Sequence, residues 1–126
     1  MKKVFTEKAP AAIGPYSQAV VTGGKVFASG QIPINPETGI LVNGNIVAQT
    51  EQVIHNIAAV LESAGSDFDH VIKTTCFLTD MADFTAFNEV YGKYFTGNPA
   101  RSCVAVSALP KGAGVEVELI AEIANR

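Results

Sequence analysis

The sequence predicts an α+β protein: a mixed β-sheet with two helices packed on one face. Three observations carry this. Segments rich in β-branched residues lie at both ends of the chain, two stretches between them repeat apolar residues at helical spacing, and one further β-branched segment separates those two stretches. The order is therefore strands, helix, strand, helix, two strands. A chain of 126 residues and 13.2 kDa fits one domain spanning residues 1–126.

The elements follow in order. Val4-Phe5 reads as a short strand, and the segment from Ala9 to Pro15, with two prolines and a glycine, as loop. Ser17 to Val21 and Val26 to Ser29 read as a hairpin turning at Thr22-Gly23-Gly24-Lys25. Gly30 to Gly39 is expected to be irregular. Asn45 is a candidate N-cap for a helix to about Ala64, with Gly65 as its stop. Its stripe is Val53, Ile54, Ile57, Val60, Leu61 and Ala64.

Val71 to Thr79 is read as a strand, with Ile72, Thr74, Cys76 and Leu78 on one face. Asp80 or Asp83 would cap a second helix to about Phe95, whose apolar face is Phe84, Phe87, Tyr91, Tyr94 and Phe95. Ser102 to Ala108 and Val115 to Ile123 are the last two strands. Two helices cover one face of such a sheet. The other is expected to be apolar and bare, and burying it, at roughly 25 cal/mol per Å2, would drive association.

Charged residues are 17% of the chain, below the roughly 25% usual for a soluble domain, which points the same way. The formal net charge is −3 and the pI about 5.3, with the nine Lys and Arg scattered. This argues against nucleic acid as the main partner. Met1 to Glu7 lacks an apolar run behind its lysines, and no stretch is long enough to span a membrane. Cys76 and Cys103 fall outside any CxxC pattern and are read as reduced thiols of a cytoplasmic protein. No cluster has metal-ligand spacing, and no phosphate or dinucleotide loop is present, so no metal or cofactor is expected.

The residues best suited to chemistry lie late in the chain. Arg101 follows Pro99-Ala100 where a strand begins, and a guanidinium grips a carboxylate through two parallel hydrogen bonds. Cys103 shares its strand face. Neither His55 nor His70 has triad spacing with it, so Cys103 reads as a lining residue rather than a nucleophile. In the last strand Glu116, Glu118 and Glu122 point one way. One of them in a partly dry cleft could move protons, and the residues alone leave open which. Tyr16 in the early loop and Ser29-Gly30 at the end of the hairpin are candidate ligand contacts, Gly30 because it permits close backbone approach.

These pieces together resemble a known family. Ala11-Ala12-Ile13-Gly14-Pro15-Tyr16-Ser17-Gln18, Ser29-Gly30-Gln31-Ile32-Pro33, Pro99-Ala100-Arg101-Ser102-Cys103-Val104 and Val115-Glu116-Val117 resemble the RidA/YjgF reactive-intermediate deaminases. Gln49-Thr50, Asp83-Phe84, Asn88 and Leu109-Pro110 extend the likeness over essentially the whole chain. Val117, Ala105, Ala108 and the short loop before Pro99 depart from it without touching the arginine motif.

The resemblance implies a chorismate-mutase-like fold and a homotrimer whose sheets form a central barrel, with clefts between subunits. It implies 2-iminobutanoate/2-iminopropanoate deaminase activity, which detoxifies reactive metabolites of amino-acid metabolism. It makes Arg101 the carboxylate anchor, Tyr16, Ser29, Gly30, Asn88 and Cys103 cleft residues, and Glu116 the acid, with Glu118 also within spacing. A non-catalytic or regulatory 2-oxo-acid-binding protein using the same cleft would need Arg101 but not Glu116. An RNA-cleaving translation inhibitor, a role ascribed to some members, is disfavoured by the acidic pI.

Overall fold

The computed structural model describes residues 1–124. Its strands are β1 (Lys2–Val4), β2 (Ala19–Thr22), β3 (Lys25–Gln31), β4 (Val71–Leu78), β5 (Ala100–Ala105) and β6 (Val115–Glu122), with helices α1 (Ile46–Ala64) and α2 (Phe84–Tyr94). Short 3-10 turns lie at Phe68–His70, Met81–Asp83 and Pro110–Gly112. The strands form one six-stranded sheet in the order β1-β2-β3-β6-β4-β5. Neighbours are antiparallel except β4 and β5, which run parallel with α2 as their crossover.

Local chemistry explains most of these elements. The β2–β3 hairpin turns on Gly23 and Gly24, both at positive φ (58° and 77°), the pairing that matches the right-handed twist of the flanking strands. Asn45 caps α1 by accepting the Ala48 N–H at 3.0 Å. Val53, Ile54, Ile57, Val60 and Leu61 bury the stripe read from the sequence. On α2, Phe87, Val90 and Tyr91 are buried, as is Phe95 just beyond the helix. Tyr91 stacks on Phe95 with centroids 4.3 Å apart, and Phe68 meets Phe95 edge-on at 5.1 Å. The Tyr94 hydroxyl donates to Glu51 at 2.9 Å and joins the two helices.

Several expectations are corrected. The Asp80 carboxylate caps the 3-10 turn before α2, and Asp83 makes no side-chain cap. β3 continues through Gly30 to Gln31, because β6 pairs with it across an irregularity between Ala28 and Gln31. β5 starts at Ala100 and ends at Ala105, so Arg101 lies inside a strand. In β4 the register shifts between Val71 and Lys73. Val71, not Ile72, therefore packs toward the core, and Ile72 is exposed.

The helix-covered face buries Val26, Thr74, Cys76, Leu78, Val115, Val117, Leu119 and Ala121. The opposite face is not uniformly apolar, because the outward positions of β4 and β6 include Lys73, Thr75, Glu116 and Glu118. Phe27 and Ile120 share with Lys73, Thr75 and Glu118 a groove of about 330 Å3 there. No helix of the described residues is long and apolar enough to cross a membrane.

Candidate functional site

β6 presents Glu116 on the sheet face away from the helices, opposite Phe77 of β4. Its carboxylate lies directly over Gly30 of β3: a Cβ at position 30 would collide with Glu116 Oε2 and stand 2.8 Å from Cδ. With any larger residue at position 30 the Glu116 carboxylate would have to shift from this place. Glu116, Gly30 and Tyr16 line one cleft of about 450 Å3, walled by Ile32, Ile34 and Lys111 among others. Burial pushes the half-buried Glu116 carboxyl up, and the like charge of Glu118 adds to the rise. Glu118 is not part of this cleft; it lines the groove with Phe27 and Lys73.

Ser29 stands beside this cluster in a tethering role. Its hydroxyl donates to Ser17 O at 2.7 Å and its N–H to Gln18 O at 3.0 Å, holding the Tyr16 loop against β3. The Gln18 amide secures the same loop by donating to Thr6 O, Ala9 O and Pro10 O.

Arg101 belongs to a second cluster, on the opposite face. The parallel register pairs Thr74 with Arg101 and Cys76 with Cys103, so both β5 side chains project toward α2. Arg101 Nη1 donates to Asn88 Oδ1 at 2.7 Å. The guanidinium carbon sits 4.9 Å from the Tyr91 ring centroid and 5.6 Å from that of Phe84. Phe84, Asn88 and Tyr91 are spaced i, i+4, i+7 and so share one face of α2. That spacing was readable in the sequence, yet it identified Phe84 and Tyr91 only as core. The Tyr91 hydroxyl is itself hydrogen-bonded to Thr74 Oγ1 at 2.7 Å. Among the described residues no carboxylate pairs with Arg101, which leaves guanidinium donors for a ligand.

Cys103 is half-buried beside Arg101; burial raises its thiol pKa and the guanidinium opposes the rise. Cys76 is buried and pushed up to about 12, mainly by desolvation. His55 is exposed, and His70 Nδ1 lies 2.6 Å from Asp67 Oδ1, the carboxylate that caps its turn. Neither histidine approaches a cysteine to make a nucleophilic pair. No group of three or more His, Cys, Asp or Glu could hold a metal ion among the described residues.

The family model described as Endoribonuclease L-PSP matches residues 6–123. The chain belongs to this family, the RidA/YjgF family of its motifs. The family's members carry different names. A mouse protein named 2-iminobutanoate/2-iminopropanoate deaminase is 49% identical over 95% of this chain and 90% of its own length. A Lactococcus lactis protein named "Putative regulator AldR" is 54% identical over 98% of both chains. The crystal structure of RidA from an Antarctic Psychrobacter species superposes with a TM-score of 0.93 at 47% identity, covering 98% of this chain and all of that one.

Proposed function

We propose that this protein hydrolyses reactive 2-imino and 2-enamino acids, 2-iminobutanoate and 2-iminopropanoate among them, to 2-oxo acids and ammonia, in clefts between the subunits of a homotrimer. The observation that carries this reading is the setting of Glu116: a half-buried carboxyl of raised pKa, held against Gly30 in a cleft. A protein that only binds 2-oxo acids needs an anion anchor; a carboxyl tuned toward neutrality adds a proton carrier.

Arg101, steadied by Asn88 and cushioned by Tyr91, holds the substrate carboxylate. Water attacks the carbon of the protonated imine, Glu116 accepts a proton from that water, and the tetrahedral carbinolamine forms. Glu116 returns the proton to nitrogen, then takes the hydroxyl proton as the C–N bond breaks and passes it to the departing ammonia, so that 2-oxo acid and ammonium leave. The balance is one iminium acid and one water to one oxo acid and one ammonium. A protonated imine is already electrophilic, so the protein's contribution is orientation and proton transfer.

Arg101 and Glu116 project from opposite faces of the sheet, so a ligand a few ångströms across cannot touch both within one chain. Two adjacent copies meeting edge to face would bring the Arg101 cluster of one to the Glu116 cleft of the next. The half-exposed Phe27, with Ile120, gives the open face apolar area to bury in such an assembly.

The test is the decay of imine generated in situ by a threonine dehydratase, followed with and without this protein. Acceleration is expected, and its loss in Arg101→Ala. No acceleration over buffer sinks the enzymatic reading. Saturable binding of 2-oxobutanoate without acceleration would instead favour a ligand-binding regulator, the class named for the Lactococcus relative.

A further inference from the structure

We propose that Gln49, a buried residue of α1 outside the cleft lining, positions Glu116 by tying together the two walls between which it works. The proposal rests on the deaminase reading for its kinetic consequence, but the tie itself is a matter of geometry.

One wall is the excursion from Pro33 to Val42. It closes on itself: the Val42 N–H donates to Pro33 O at 2.8 Å, the Asn35 N–H to Ile40 O at 3.0 Å, and Ile34 bridges Leu41. Ile34 and Pro36 of this wall face the cleft. The other wall is the turn from Leu109 to Gly114, which puts Pro110 and Lys111 on the cleft and leads into β6, where Glu116 is the second residue. Lys111 holds a left-handed conformation at φ 59°, a strained backbone for a lysine that a firmly held turn must maintain.

Gln49 joins them. Its Nε2 donates to Val42 O at 3.2 Å, and its Oε1 accepts the Gly114 N–H at 2.9 Å. A Cβ added at Gly114 would stand 2.9 Å from the same oxygen, so turn and helix are in close contact. Gly114 O accepts the Thr79 N–H at 3.3 Å, fixing the peptide just ahead of Glu116 from its other side. No other hydrogen bond among the described residues runs between the two walls. Asn56, seven residues on and thus on the same face of α1, donates to Ile32 O at 3.2 Å and Ile34 O at 3.0 Å. It secures the first wall only. Among the described residues Gln49 is the one side chain hydrogen-bonded to both walls, so the width of the cleft and the burial of Glu116 depend on it.

Two variants test this. Gln49→Met has similar length but neither donates nor accepts as an amide; Gln49→Asn keeps the amide but is too short to span both walls. The readouts are the titration of the Glu116 carboxyl, followed by carbon NMR on glutamate-labelled protein, and kcat and KM for imine hydrolysis. In each folded variant the Glu116 midpoint should fall toward the ordinary glutamate range as water enters. kcat should fall at least about tenfold while KM changes by less than about threefold. Should Gln49→Met fail to fold, Gln49→Asn decides. An unmoved titration overturns the tie, and a moved titration with unchanged kcat in an active enzyme overturns its positioning role. If wild-type protein hydrolyses no imine but the titration still moves, the tie stands and the deaminase reading falls.

Discussion

Glu116 is held half out of water over Gly30, with the Glu118 charge two residues along the strand, and both features favour its protonated form. Between the ordinary glutamate pKa and its raised value the folded protein binds more protons than the unfolded chain, so stability falls as pH rises through that window. Glu116→Gln should therefore melt at a higher temperature than wild type at pH 7 to 8. The difference should shrink as pH drops below about 4, where both forms are neutral. Thermal melts across pH check this; a difference that grows toward low pH would contradict it. The same contact makes Gly30→Ala a clean probe of placement. The new methyl must push the carboxylate aside, and a displacement of about 1 Å should cost on the order of a hundredfold in kcat with the fold retained. Steady-state kinetics beside a circular dichroism spectrum would measure it, and wild-type kcat in folded Gly30→Ala would refute the geometry.

The elements differ in how far they could be read from sequence. α1 could be read nearly in full, because its cap, apolar stripe and glycine stop are all local signals: Asn45, the run from Val53 to Leu61, and Gly65. The cap bond from Ala48 N–H to Asn45 makes its own prediction. Asn45→Ala should cost about 1 kcal/mol in urea-denaturation stability. The Gly23-Gly24 hairpin was legible for the same reason. What the chain order hides is pairing. Nothing local says that β6, last in sequence, inserts between β3 and β4. Yet that insertion extends β3 through Gly30, brings Glu116 onto it, and separates Glu116 from Glu118 in environment. The alternation of β6 showed that the glutamates share a face, but not which of them meets a glycine. The bulge that exchanges Val71 for Ile72 is likewise a product of pairing with β6. The hydrogen-bond partners of Gln49 and Asn56 are backbone atoms of loops whose paths over the helix only the tertiary structure defines.

For the whole molecule the decisive feature is that a single sheet separates the Arg101 cluster from the Glu116 cleft. Arg101, Asn88 and Cys103 stand on the helix side at the edge strand β5, while Glu116, Gly30 and Tyr16 stand around a cleft reached from elsewhere. If adjacent copies complete each other's clefts, two inactive variants should complement when mixed. Arg101→Ala removes the anchor but keeps Glu116; Glu116→Gln removes the acid but keeps Arg101. After equal mixing with subunit exchange, a cleft is intact only where its Arg101 side comes from the Glu116→Gln chain and its Glu116 side from the Arg101→Ala chain. Random cyclic assembly satisfies both conditions in about a quarter of the clefts. Imine hydrolysis should therefore return to about a quarter of the wild-type rate per chain. Sedimentation of the wild-type protein should give about three times the mass of one chain. A site completed within one chain predicts no recovery at any mixing ratio, because every chain in the mixture lacks one essential group. The size of the recovery thus tests whether the cleft belongs to the assembly or to the single chain.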